Sequence, residues 1–144
     1  MANYNLYDDI DESKLLSLTE ILTRDISKNQ SALTEFSDSL SEDMLKASEI
    51  EALKSGYTKI DEIYTELSSE VETVQKACSY IADYKEARTN ALDYENQIKI
   101  KETAKDDKEN INDMVGIKAL NGLKAACERT MEECETKVKE ICGV

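Results

Sequence analysis

The chain has 144 residues, 40% of them hydrophobic and 6% aromatic, with 31 Asp and Glu against 18 Lys and Arg for a formal net charge of −13. This length suits one domain with a core if its helices fold back on each other, and the acidity speaks against nucleic acid and anionic membrane surfaces because each approach to a phosphate is repulsive. Proline and histidine are absent and there are four glycines, so little interrupts a helix, and Ser-His-Asp, Cys-His, Glu-x-x-His di-iron and His-based zinc chemistry are excluded.

Residues 1–10 lack a basic region followed by an apolar core, so no cleavable leader is expected. The first helix is expected over 11–40, where Asp11, Glu12 and Ser13 supply a capping oxygen and negative charge at the positive end of the helix dipole. Its apolar stripe reads Leu15, Leu18, Leu22, Ile26, Asn29, Leu33, Phe36 and Leu40. Asn29 either fixes register or partner number on that seam or lies at its edge facing water.

Between Ser39 and Ser48 the serines and the acids Glu42 and Asp43 favour caps and a reversal, with Ser48 as N-cap of the second helix. That helix, expected over 48–105, carries a seam at alternating spacings of three and four: Ile50, Leu53, Tyr57, Ile60, Tyr64, Leu67, Val71, Val74, Cys78 and Ile81. If continuous it reaches about 85 Å at 1.5 Å rise per residue. Beyond Ile81 the heptad falls on Lys85, Arg88 and Glu95, while the apolar stripe moves to Tyr84, Ala87, Ala91, Tyr94 and Ile98, a phase change that rotates the buried face.

The third helix, expected over 113–142 after the polar segment Asp106–Asp113, offers Ile117, Leu120, Leu123, Cys127, Met131, Cys134, Val138 and Ile141. A reversal centred near residue 45 and another between 108 and 112 bring both outer helices to an end where the seam rotates. Helix one should therefore cover the first half of helix two, and helix three the second half. The fold expected is all-α: an elongated antiparallel helical hairpin, coiled-coil-like, with a long central helix and a third C-terminal helix folding back, in a single helical domain over 1–144.

A pair of helices leaves much of each apolar stripe wet, and tyrosines such as Tyr57, Tyr64, Tyr80, Tyr84 and Tyr94 suit an interface that is apolar along the ring and wet at the hydroxyl. Pairing into a four-helix cross-section would satisfy both facts; a compact three-helix bundle with helix two kinked near its phase change is the alternative. The expected partner contacts are Tyr57, Ile60, Tyr64, Leu67, Val71 and Tyr84.

Cys78, Cys127 and Cys134 sit on apolar faces, where a thiol acts as a small hydrophobe, and Cys142 near the chain end is the one expected to be exposed. Their spacings match no CxxC zinc pair. The acid pairs Asp8-Asp9, Asp106-Asp107 and Glu132-Glu133 lack the alternating oxygen ligands and turn glycine of a calcium loop. No catalytic residue, cofactor or metal is expected, and no apolar run is long enough to span a bilayer.

The string Ile81-Ala82-Asp83-Tyr84-Lys85-Glu86-Ala87-Arg88, following a helix, a serine-rich turn and a second helix, resembles the WXG100 proteins of type VII secretion over residues 11–88. Their turn carries Trp-x-Gly, where this chain has Ser41-Glu42-Asp43-Met44-Leu45-Lys46. Their export signal places an acid four residues after a tyrosine, where Tyr84 is followed by Arg88; Tyr4 with Asp8, Tyr7 with Asp11 and Tyr57 with Asp61 match that spacing at other places. The chain is also similar to the small helical partners of LXG-domain effectors, which often lack the Trp-x-Gly.

That resemblance implies a non-catalytic adaptor that pairs with the helical targeting domain of an effector, with Tyr84 and Glu86 as a targeting motif. The four thiols favour a reducing cytoplasm, and the resemblance adds a route of export without a signal peptide. Two other classes remain: an acidic immunity protein or antitoxin that blocks a basic toxin surface, and a structural coiled-coil homodimer.

Overall fold

The computed structural model describes residues 2–40, 47–104 and 111–143. Regular structure among them is entirely helical: α1 (Glu12–Ser39), α2 (Ala47–Ala104) and α3 (Ile111–Cys142). The expected all-α hairpin with a long central helix is observed, and α2 runs for 58 residues without interruption. Ser48, expected as its cap, is the second residue of the helix, a difference within the usual fraying of helix ends. The expected reversals at Ser39–Ser48 and Asp106–Asp113, including Asp106-Asp107, fall largely on residues 41–46 and 105–110, outside the described residues. At the far end Gly143 adopts φ 73° and its amide donates to the Glu140 carbonyl at 3.2 Å, closing α3 in the left-handed conformation that glycine adopts without steric cost.

The chain forms two compact units, Met1–Glu12 with Ala77–Val144, and Ser13–Lys76. We call them the capped unit and the hairpin unit. In the hairpin unit α1 runs antiparallel to the first half of α2, and Gln30 Nε2 donates to Asp61 Oδ1 at 3.3 Å across the pair. Those two residues are equidistant from a point between 45 and 46, the centre expected for the reversal. In the capped unit the Lys124 to Glu95 ion pair at 3.8 Å joins α3 to the second half of α2 and is symmetric about a point between 109 and 110, inside the expected window of 108 to 112. The first half of α2 thus belongs with α1 and the second half with α3, the division falling at Lys76 and Ala77.

The phase change is visible in the burial of α2. Ile50, Val71 and Cys78 are buried, and Tyr57 and Tyr64, which complete that seven-residue row, are half-buried. Ile81, the last member of the seam, is buried too, and the row that follows, Tyr84, Ala91 and Ile98, is again seven apart but starts six residues after Cys78. One residue dropped from the repeat turns the buried face of an α-helix by about 100°. In the capped unit Tyr84 and Ala91 of that face pack with Ala87, Met131 and Cys134 into the core cluster. Leu123, read as part of the α3 stripe, is exposed, while Leu120 and Val138 are buried.

The first residues of the chain add an element beyond the three helices. Ala2, Tyr4, Leu6 and Tyr7 pack against the core of the capped unit. The segment turns at Tyr7, whose φ of 64° is left-handed and whose carbonyl accepts from the Ile10 amide at 3.1 Å. A tyrosine held there costs roughly 1–2 kcal/mol of backbone strain, so its contacts must outweigh that cost.

Candidate functional site

On each helix of the hairpin unit one heptad row is buried and an adjoining row is left open. In α1 the inward row is Thr19, Ile26 and Leu33, continued by Leu40 just past the helix end, with Thr19 and Ile26 buried and the other two half-buried. Thr19 satisfies its hydroxyl locally by donating to the Leu16 carbonyl at 2.7 Å, so burying it leaves no unpaired donor. The open row is Leu15, Leu22, Asn29 and Phe36, with the three apolar members 39%, 43% and 46% exposed. Asn29 is exposed too, the water-facing alternative for that residue. In α2 the open row is Leu53, Ile60, Leu67 and Val74, all between 38% and 43% exposed, flanked by Ile63 at 62%.

This division is geometric. A single antiparallel neighbour can receive both lines of an a/d seam, but a lone pair of helices leaves part of each apolar stripe wet, and here one line is covered more deeply than the other. Large apolar residues repeating every seven positions at one intermediate exposure leave a line of uncovered apolar surface on each helix. Closing it would contribute about 1 kcal/mol per side chain, taking somewhat under half of the value for full burial.

Of the expected partner contacts, Ile60 and Leu67 lie on the open row and Tyr57 and Tyr64 are half-buried on the adjoining one. Val71 is buried within the hairpin unit. Tyr84 is wholly enclosed at 0% exposure and faces no partner in this conformation, while Glu86 is exposed. The structure therefore brings Tyr57, Ile60, Tyr64 and Leu67 together on one helix face and places Tyr84 in a different setting.

The enclosure of Tyr84 comes from the chain's own first residues. Tyr7 meets it edge-on with ring centroids 5.1 Å apart, and the Arg88 guanidinium lies 5.9 Å from its ring centre. Arg88 also donates to the Tyr4 carbonyl at 3.2 Å and pairs with Asp8. Lys85 donates to the Ile10 carbonyl and to Glu12, both at 2.6 Å. The two cations that displace apolar residues from the heptad after Ile81 are thus the anchors of this N-terminal strap. No structural element was expected over residues 2–10; the available signal was Tyr4, Leu6, Tyr7 and Ile10, a concentration of apolar surface in a polar lead-in.

Electrostatics around the strap follow from burial. Desolvation, and then the Glu128 carboxylate, push the Tyr4 phenol up to about 12. Burial likewise raises Tyr7, with Glu135 adding to it, and raises Tyr84, against which the nearby Leu6 backbone and Arg88 pull down. Neither the Tyr4 nor the Tyr84 hydroxyl has a hydrogen bond of normal geometry, although both are sealed from water; Glu128 and the Leu6 backbone are the polar groups that act on them most directly. Glu12 is held below its ordinary value, first by the hydrogen bond from Lys85.

All four cysteines are free thiols: Cys78 and Cys134 are buried, Cys127 is half-buried and Cys142 is exposed. Burial raises both buried thiols, with Glu12 adding to it at Cys78 and Asp83 and Glu133 at Cys134. Among the described residues no group of three or more Cys, Asp or Glu could hold a metal ion, and no helix is long and apolar enough to cross a membrane. The arrangement offers surface for association. No protein-family model, curated protein or solved structure matches the chain. The class it can be assigned on the fold is an all-α protein organised along one long central helix.

Proposed function

We propose that this chain is a non-catalytic helical binding protein that pairs through the hairpin unit with the helices of another protein, as an adaptor for an effector of type VII secretion. The observation that carries the reading is the open heptad row Leu53, Ile60, Leu67 and Val74 on α2, accompanied by Leu15, Leu22 and Phe36 on α1. Two helices that each keep one apolar row uncovered need two more for a closed cross-section. The secretion setting rests on the likeness of residues 11–88 to WXG100 proteins and to the partners of LXG effectors. Acidic residues flanking the row, such as Glu62, Glu66 and Glu70, set partner choice and encounter rate.

The test is the double substitution Ile60→Glu and Leu67→Glu. Both side chains are exposed, so helicity by circular dichroism should persist. Capture of the helical domain of an LXG effector encoded beside this gene should fall by more than about tenfold. Undiminished capture by the variant sinks the reading. A wild-type chain that is a stable dimer in light scattering and captures no effector would assign the open row to self-association instead.

A further inference from the structure

The helical pair of the capped unit has two faces, and they differ. At 100° per residue, Lys85 and Arg88 lie on one side of the line through Tyr84 and Ala91, and Asp83, Glu86 and Asn90 lie on the other. The first side is roofed by the N-terminal strap. The second is a groove of about 530 Å³ between α2 and α3.

Three properties of this groove describe its occupant. Along α2 its wall steps through Tyr80, Asp83, Ala87 and Asn90, and along α3 through Cys127, Thr130, Cys134 and Lys137. Both walls advance by threes and fours, the spacing that receives the side-chain ridges of a third helix. The side chains nearest the core are small: Ala87, Cys127 and Cys134 leave room for large side chains from the occupant. The charged members are Asp83, Glu86 and Glu133 against the single cation Lys137, and the first and last of those acids also bear on the Cys134 thiol at the base. A second copy would bring its own excess of acid, 31 acidic against 18 basic residues, to an acidic rim.

We infer that the groove between α2 and α3 of the capped unit docks a basic amphipathic helix of a different protein, its large apolar side chains over Ala87, Cys127 and Cys134 and its Lys or Arg residues against Asp83, Glu86 and Glu133. The site uses no residue of the open row on the hairpin unit and stands without it. A helix laid there gives the capped unit a third helix on the face opposite the strap.

The probe is a synthetic helix of about 21 residues with Leu at three- and four-residue spacing and Lys or Arg between. One control replaces its basic residues by Glu, and another scrambles its order at constant composition. Binding to the full chain under reducing conditions is read by fluorescence anisotropy, and occupancy of the groove by the alkylation rate of Cys127 relative to the exposed Cys142. The basic amphipathic peptide should bind at least about tenfold more tightly than either control and slow Cys127 selectively. Thr130→Trp, which fills the groove from an exposed position, and the pair Glu86→Lys with Glu133→Lys should each weaken it about tenfold or more without changing the melting curve. The pair Ile60→Glu and Leu67→Glu should leave it intact.

Equal binding of the scrambled peptide would reduce the effect to net charge and overturn the proposal. So would an unprotected Cys127, undiminished binding by Thr130→Trp, or a wild-type dimer that this substitution converts to monomer, which would make a second copy the occupant.

Discussion

The two halves of α2 follow the same repeat and reach different results. From Ala77 onward the helix packs on α3 under the strap, and its row through Tyr84 and Ala91 is fully enclosed together with Met131. Up to Lys76 it meets α1, and Leu53, Ile60, Leu67 and Val74 stay open. Apolar spacing alone therefore does not make a core. The number of covering neighbours does, and in the capped unit α2 gains a second from an irregular segment of some ten residues.

The largest expected contrast is between truncations. Met131→Ala removes a wholly buried side chain and should cost about 2–5 kcal/mol, whereas Leu67→Ala, on the open row, should cost about 1 kcal/mol or less. Urea denaturation of the isolated chain measures both, and equal losses would erase the distinction between the halves.

Tyr84→Phe sharpens the comparison from inside the capped unit. Its hydroxyl is buried without an aligned partner, so removing it should be neutral or stabilising by about 1 kcal/mol. A loss of that size would mean that the contact with the Leu6 backbone is a working hydrogen bond.

The strap makes the capped unit sensitive to pH at both ends. Tyr4, Tyr7 and Tyr84 have phenols raised by burial. In the unfolded chain they ionise near their ordinary value of 10 while the folded chain still holds the protons. The stability due to the neutral phenols is fully present below pH 10 and is lost as pH rises toward 12 at Tyr4. Glu12 runs the other way: its lowered value means that the contribution present above about 4.5 is lost as pH falls through the lower folded value. Near-ultraviolet circular dichroism should show tyrosine packing fading in both directions, and Glu12→Gln should flatten the acid limb alone. An acid limb unchanged by that substitution would remove Glu12 as its source.

The smallest effect concerns the glycines. A Cβ added at Gly56 in the hairpin unit or at Gly122 in the capped unit meets nothing within 4 Å, so Gly→Ala should stabilise either helix by about 0.5–1 kcal/mol. Native-state hydrogen exchange would report whether each gain stays within its own unit, as it should if the halves open separately.

Much of the architecture was legible from residue spacing. The seam from Ile50 to Ile81, the phase change to Tyr84, Ala91 and Ile98, and the register of both helix pairs all follow from counting along helices of known rise. The open row was legible only as a ten-residue seam. Which of its two lines would be covered depends on how α1 is rotated against it, and that rotation is set by contacts such as Gln30 with Asp61. Tyr84 was read on the rotated apolar stripe and as a contact for a partner; that the chain's own first residues cover it was not legible, because helical spacing cannot reveal a covering segment that is itself not helical.

What the sequence determined by itself is the helical state, the length of each helix and the pairing order, because these follow from the absence of proline and from a local, periodic pattern of apolar residues. Only the tertiary structure decided which apolar residues are enclosed and which remain available. The strap closes over Tyr84 through Lys85, Arg88 and Tyr7, contacts between residues about 75 or more positions apart. Burial is a property of neighbours in space, and no local period along the chain encodes a neighbour that distant.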